Sequence, residues 1–304
     1  MSNKERFVPK KRFVVLVNPH GGIRRGTAIL EEVRPLFAAA GAELDVQFTD
    51  HPGHAASLAG TRDLSHCDGL CLIGGDGTIH EVVNGLLQRS QPAATPLGLI
   101  PGGTGNSVVL HLGYTQPAEA VRRILAGQTQ ALDIARVTLS DQTVDCLNIV
   151  GWGAVVDILR TAERMRWVGR PRYTLALLWH ILFPRRRRAR LVLDGQASDD
   201  EFFFVLGCNT QFTGRGMRLA PRADLGDGKI DVIAVRRASV GQKLQFFRRV
   251  FDGSHVTLDC VEYHQVQSFR IESHSEDLLN LDGELKGHSP AAVQMLPGAI
   301  RVFA

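Results

Sequence analysis

Asp76 stands in the run Gly74-Gly75-Asp76-Gly77-Thr78, one acid among glycines. The apolar stretch GLCLI precedes the run and has the length of a strand that a parallel sheet buries on both faces. Ile79, Val82, Val83, Leu86 and Leu87 follow it at the spacing of one helix face. Free N–H groups at a helix start, beside glycines that let a ligand come close, make an anion cradle. A carboxylate there would repel phosphate unless a cation or a transferable proton intervened, so Asp76 points to Mg²⁺ or to catalysis. The plainer alternative is a tight turn whose Asp caps a helix. Thr78 and Glu81 have the spacing of a capping box, which predicts a helix starting just after the glycines. Far along the chain, Asn280-Leu281-Asp282-Gly283-Glu284 places two acids around a glycine. On a strand they share a side, and on a turn they converge on one ligand. A solvent-exposed Asp-Gly hairpin fits equally well.

The elements that must hold these residues alternate strand and helix at first. Strands are expected at 13–17, 44–48, 70–73 and 97–100, and helices at 27–40, despite Pro35, at 54–59 and at 118–126. This is a doubly wound α/β pattern, in which ligands collect at the carboxyl ends of strands. Those ends carry the loops 18–22, 49–51, 74–77 and 101–106. The GGIRRGT stretch at 21–27 lacks the Lys of a Walker A loop, and no G-x-G-x-x-G follows a strand. His80 and Glu81 resemble half of a zinc-protease helix, but Asn84 replaces the second His, leaving Glu81 as a cap. Asn84 faces either the phosphate loop or solvent. After Asp133 come short runs at 135–139, 146–150, 190–193, 202–207, 229–235, 267–271 and 300–303. They predict a mostly antiparallel β-sandwich, interrupted by helices at 157–167, 173–183 and near 240–251. The two domains expected are 1–132 and 133–304.

The chain has 304 residues, 44% of them apolar, enough for two cores, and a net charge of +4 that favours anionic ligands without demanding nucleic acid. No RNP-like or zinc-finger pattern is present, so no nucleic-acid partner is expected. Five cysteines without metal-type spacing read as reduced thiols of a cytoplasmic protein. The charged start MSNKERFVPKKRF has no apolar core of a signal peptide, and no stretch approaches the roughly 20 apolar residues of a membrane span. The protein is expected to be soluble or peripheral. Residues 173–183, YTLALLWHILF, are apolar and run into the basic stretch 185–190. That pairing suits a membrane surface, while composition alone favours a core helix beside solvated charge.

Taken together, GGDGTIHEVVNGL, the Asn18-Pro19-x-Gly-Gly loop, PGGTGN at 101–106, LDGE at 281–284 and GMRLAPRADLGDGKIDVIAV at 216–235 resemble the diacylglycerol kinase superfamily of diacylglycerol, sphingosine and ceramide kinases. The pattern at 151–176 is most similar to the sphingosine kinase branch. The resemblance implies an N-terminal α/β domain of NAD kinase and diacylglycerol kinase type that binds ATP. It also implies a β-rich lipid-binding domain, with the catalytic cleft between the two. It implies ATP and Mg²⁺ as cofactors and a primary lipid hydroxyl as acceptor. ATP phosphates would be held by Gly74, Gly75, Gly77, Thr78, Gly103, Thr104, Gly105 and Asn106, with Asn18 and Thr49 toward the nucleoside. By the same resemblance Arg166 and Arg172 reach the phosphates and Asp157 and Glu163 lie near the lipid headgroup. Asp282 and Asp76 are the candidates for general base, with Asp282 taken as base and Asp76 in the phosphate and metal role, although the reverse is allowed. Glu284 holds Mg²⁺ or positions Asp282. Sphingosine kinases carry a second acid two positions after the one matching Asp157, where this chain has Leu159, which weighs toward diacylglycerol, monoacylglycerol or ceramide. The partners expected are the lipid, the inner face of a membrane contacted through 173–183 and 185–190, and, as an option, a second copy of the chain. The alternatives are a kinase of a soluble metabolite, like the NAD kinases, and a lipid-binding regulator without catalysis.

Overall fold

The computed structural model describes residues 10–21, 24–90, 94–169, 171–185, 187–214 and 216–304. Gly22 of the expected 18–22 loop, Ile23, Arg186 of the basic run and the charged stretch before Lys10 lie outside them. Two compact units result: the described residues through Gln130 joined by Ile300–Ala304, and Ala131–Ala299. The last five residues, expected in the second domain, thus fall in the first unit.

The first unit runs β1 (Arg12–Val17), α1 (Gly26–Ala39), β2 (Glu43–Phe48), α2 (His54–Thr61), β3 (Gly69–Gly74), α3 (Asp76–Leu87), β4 (Leu97–Pro101), α4 (Ser107–His111) and α5 (Pro117–Ala126). Its strands pair in parallel in the order β4, β3, β1, β2. The chain's last residues add a parallel bridge, Val302 against Leu97. β3 and β4 are buried at every position and β1 at all but its first, as strands covered on both faces must be. β2, at the edge, is half exposed. The helices pair as α1 with α5 and α2 with α3.

The second unit is antiparallel. It contains β5 (Thr129–Thr138, begun in the first unit), β6 (Thr143–Cys146), β7 (Ile149–Gly153), α6 (Ala154–Arg164), α7 (Arg172–Leu182), β8 (Arg187–Leu193), β9 (Gln196–Cys208) and β10 (Ile230–Arg236). It continues through α8 (Val240–Arg249), β11 (Val261–Val266), β12 (Ser268–Ser273), β13 (Leu278–Leu281), β14 (Glu284–His288) and β15 (Ala291–Phe303), whose end crosses to the first unit. The long β9 pairs with β8 through its first half and with β7 and β10 through its second. One core gathers Trp152, Phe202 and Phe269, and a second gathers Phe203, Phe204 and Phe246. The single strand expected at 146–150 is instead the junction of β6 and β7, broken at Leu147 and Asn148. Short β11, β13 and β14 were not expected as strands. All five cysteines are free, and four are buried. Among the described residues no helix is long and apolar enough to cross a membrane.

Candidate active site

In the first unit the site is built from backbone. α3 begins at Asp76 with Gly75 as its N-cap, and no side chain caps it. The expected capping box does not form, because both of its members are used elsewhere. Thr78 Oγ1 accepts a hydrogen bond from Asn18 Nδ2 at 3.0 Å, and Glu81 Oε2 accepts the Ala55 N–H at 3.1 Å. Glu81 therefore caps the neighbouring α2. Asp76 acts the same way: its carboxylate accepts the N–H of Ser107 at 3.0 Å and of Val108 at 3.4 Å, the first residues of α4. A carboxylate at a helix N-terminus satisfies orphan donors and meets the positive end of the dipole. Asp76 thereby fastens the PGGTGN segment to the GGDGT turn.

The two glycine loops touch backbone to backbone. A Cβ on Gly103 would lie 2.5 Å from Gly75 Cα, and one on Gly75 would lie 2.9 Å from Gly103 Cα. Glycine is required at both positions by this contact. Gly77 has no such reason, since a Cβ there would meet nothing within 4 Å. Open space beside a helix start is what a phosphate needs. The N–H groups of Gly75, Gly77, Thr78, Thr104 and Gly105 donate to no protein acceptor among the described residues. The Gly103 N–H, expected at the phosphates, instead donates to Asn106 Oδ1 at 2.9 Å, and Asn106 Nδ2 returns a bond to the Gly103 carbonyl. Asn106 thus shapes the loop rather than offering its amide outward. Asn18 Oδ1 likewise accepts the His20 N–H, so its side chain is held on both ends. Thr49 is buried and its N–H continues the sheet by donating to the Val17 carbonyl. Asn84, half-buried, donates to the His80 carbonyl one turn back.

In the second unit the sites are built from side chains. Asp282 and Gly283 form the two-residue turn between β13 and β14, both with positive φ (51° and 95°). That is the hairpin the sequence allowed, yet Asp282 is buried rather than exposed. Its Oδ1 accepts the N–H groups of Asn148 and Ile149, each at 2.8 Å, and its Oδ2 that of Leu147 at 2.9 Å. These are the groups freed where β6 breaks from β7, so the broken strand and the buried acid explain each other. Glu284, two residues on, is exposed.

Asp157, buried in the first turn of α6, is gripped by Arg187 of β8 through two bonds, Nη1 to Oδ2 at 2.6 Å and Nη2 to Oδ1 at 3.0 Å. Arg187 Nε also reaches Asp277 Oδ1 at 3.3 Å. Burial opposes the charge of Arg187, but the hydrogen bonds and charges of Asp157 and Asp277 outweigh it and raise its pKa. The sequence reading placed Arg187 in the basic run expected at the membrane surface, and missed this buried pairing. Strand alternation carried the signal, because Ala189 and Leu191 are buried and Arg187 shares their face. Glu163 is the meeting point of the other two arginines, with Arg166 Nε at 2.6 Å and Arg172 Nη2 at 3.5 Å, and Arg172 also donates to the Tyr173 hydroxyl. α7 buries only Ala176, His180 and Ile181. Tyr173, Leu175, Leu178, Trp179, Leu182 and Phe183 are exposed, so α7 is not the core helix that composition favoured.

These arrangements have counterparts in known proteins. Residues 12–137 match the diacylglycerol kinase catalytic domain, and residues 148–304 match the YegS C-terminal NAD kinase beta sandwich-like domain. A diacylglycerol kinase of Mycobacterium tuberculosis is 31% identical over 78% of this chain and 76% of its own. Sphingosine kinase 1 of Arabidopsis thaliana is 27% identical over 90% of this chain and 68% of its own. A crystal structure of a diacylglycerol kinase from Bacillus anthracis str. Sterne superposes with a TM-score of 0.79 at 26% identity, covering 97% of this chain and 96% of that one. Two matched domains in order, with relatives along nearly the whole chain, make this chain a member of the diacylglycerol kinase superfamily of lipid kinases.

Proposed function

We propose that the protein transfers the γ-phosphoryl group of ATP to a primary hydroxyl of a membrane lipid of the diacylglycerol, sphingoid-base or ceramide type. The observation that carries this reading is the contact of Gly75 with Gly103, fastened by Asp76, which leaves a row of N–H donors at the start of α3. Phosphoryl transfer is mostly positioning and charge neutralisation, and backbone N–H groups supply both without reorganising. In this reading Gly75, Gly77, Thr78, Thr104 and Gly105 hold the phosphates, while Gly74, Gly103 and Asn106 shape the loops. Asn18 and Thr49 flank the nucleoside, and Arg166 and Arg172 neutralise phosphate charge. Mg²⁺ fits a site of one carboxylate plus substrate phosphate oxygens, and Asp76 is the residue that would hold it, with charge neutralisation as its chemistry. Glu284 is the second candidate for it, or positions Asp282.

Asp282 is assigned as the base. Three N–H groups fix its carboxylate, and a base must be placed before its proton affinity matters. Asp157 and Glu163 are assigned to the headgroup end of the lipid. The exposed rings and leucines of α7, with Arg188 and Arg190 exposed on the neighbouring strand, suit docking on the anionic inner face of a membrane. The test is transfer of label from γ-labelled ATP to diacylglycerol, ceramide, sphingosine and NAD in parallel. Labelled lipid is expected, and label in NAD alone would overturn the reading.

A further inference from the structure

We infer that α8 is a second membrane-docking helix beside α7, and that the surface it docks on is an anionic bilayer. This goes beyond the docking role proposed for α7 and rests on it. α8 is begun by a complete capping box: the Ser239 hydroxyl accepts the Gln242 N–H at 3.2 Å, and the Gln242 side chain accepts the Ser239 N–H at 2.9 Å. Its inward row includes Phe246 and Val250, both buried, with the Phe246 ring against that of Phe204. A second apolar row lies outside that core. Val240, Leu244 and Phe247 recur at i, i+4 and i+7, and Phe251, just past the helix end, continues the spacing. Leu244 is 41% exposed and Phe251 62%, so α8 carries a wider apolar face than its core covers. On α7, Leu175, Leu178, Trp179 and Leu182 form a similar exposed row, and the two helices pack against each other.

Charge decides what suits these rows. Neither α7 nor α8 contains an acidic residue, and α8 carries Lys243, Arg248 and Arg249. Lys243 is buried, with its ammonium 4.7 Å from the centre of the Phe203 ring. Arg237 and Arg248 are exposed and form no ion pair among the described residues, whereas Arg236 is paired with Asp200 and Glu262. Asp252, the first acid after the helix, accepts the Ser254 N–H at 2.8 Å. A second copy of the chain docked on this helix would set arginine against arginine, which opposes association. A bilayer with anionic headgroups supplies the missing negative charge, and its interface takes up the apolar row.

The experiment is sedimentation of the whole protein with phosphatidylcholine vesicles, with and without phosphatidylglycerol, alongside a thermal melt of each variant. Wild type should bind the anionic vesicles more tightly. Leu244→Ser with Phe251→Ser should keep the melting temperature and lose roughly fivefold or more in binding to anionic vesicles. Arg237→Gln with Arg248→Gln should lose roughly tenfold on anionic vesicles while binding to neutral ones changes little. Wild-type binding to anionic vesicles by either pair overturns the inference, and Trp179→Ser with Phe183→Ser then tells whether the α7 reading survives it. A wild-type protein that binds neither vesicle overturns both. A dimer in sedimentation velocity that Leu244→Ser with Phe251→Ser dissociates would put a second copy on α8 and overturn the inference as well.

Discussion

The glycine loops of the first unit and the polar clusters of the second are held together with opposite materials. In the first, backbone meets backbone: Gly75 lies against Gly103, the side chains of Asp76 and Glu81 accept N–H groups of neighbouring segments, and Asn106 accepts the Gly103 N–H within its own loop. In the second, charged side chains from distant positions meet each other. Arg187 joins Asp157 and Asp277, which stand 30 and 90 residues away. Backbone donors cannot change their charge and bind any phosphate alike. Side-chain clusters are selective and can be retuned by one substitution.

The comparison breaks most readily at the glycines. Gly103→Ala puts a Cβ against Gly75 Cα, so the loop must open, and ATP affinity should fall by tenfold or more with a lowered melting temperature. Gly77→Ala has room, so it should keep the melting temperature and still lose roughly tenfold in ATP affinity, because the methyl group occupies ligand space. Titration calorimetry and thermal melts separate the two. If Gly77→Ala bound ATP normally, the backbone cradle would not lie there.

A smaller effect is expected from pH in the second unit. Burial pushes the Asp231 carboxyl up to about 6, against the hydrogen bond from the Tyr263 hydroxyl, and its Oδ2 has no partner among the described residues. The folded state therefore holds this proton more tightly than the unfolded chain does. The stability it contributes is present below about pH 4 and is lost as pH rises through 6. The full shift corresponds to about 3 kcal/mol. Asp231→Asn should flatten the urea-midpoint profile between pH 4 and 7 and be at least as stable as wild type at pH 7.5. A profile unchanged by the substitution would remove Asp231 as its source. The smallest effect on the fold should come from Trp179→Ser with Phe183→Ser on α7. These side chains are 58% and 60% exposed, so stability should change little while sedimentation with anionic vesicles falls several-fold. Unchanged vesicle binding would take the membrane role from α7.

The same contrast decides what was legible in the sequence. The parallel strands read correctly because β3 and β4 are buried on both faces and so are continuously apolar. The strand-to-helix junction at 74–76 read correctly because its residues are adjacent. The capping role of Glu81 was misassigned because the N–H it satisfies belongs to α2, not to its own helix. The break at Leu147 and Asn148 was invisible because its partner, Asp282, lies more than a hundred residues on. Arg187 looked like surface charge because local spacing does not report a partner on another element.

The most direct test of the account is Asp282→Asn, assayed for ATP binding and for label transfer to diacylglycerol in the same preparation. The acid is assigned to the acceptor and lies in the second unit, whereas the nucleotide is assigned to the first. Transfer should fall by about a hundredfold or more while ATP affinity stays within a few-fold of wild type. Near-normal transfer, or loss of ATP binding in step with transfer, would contradict it.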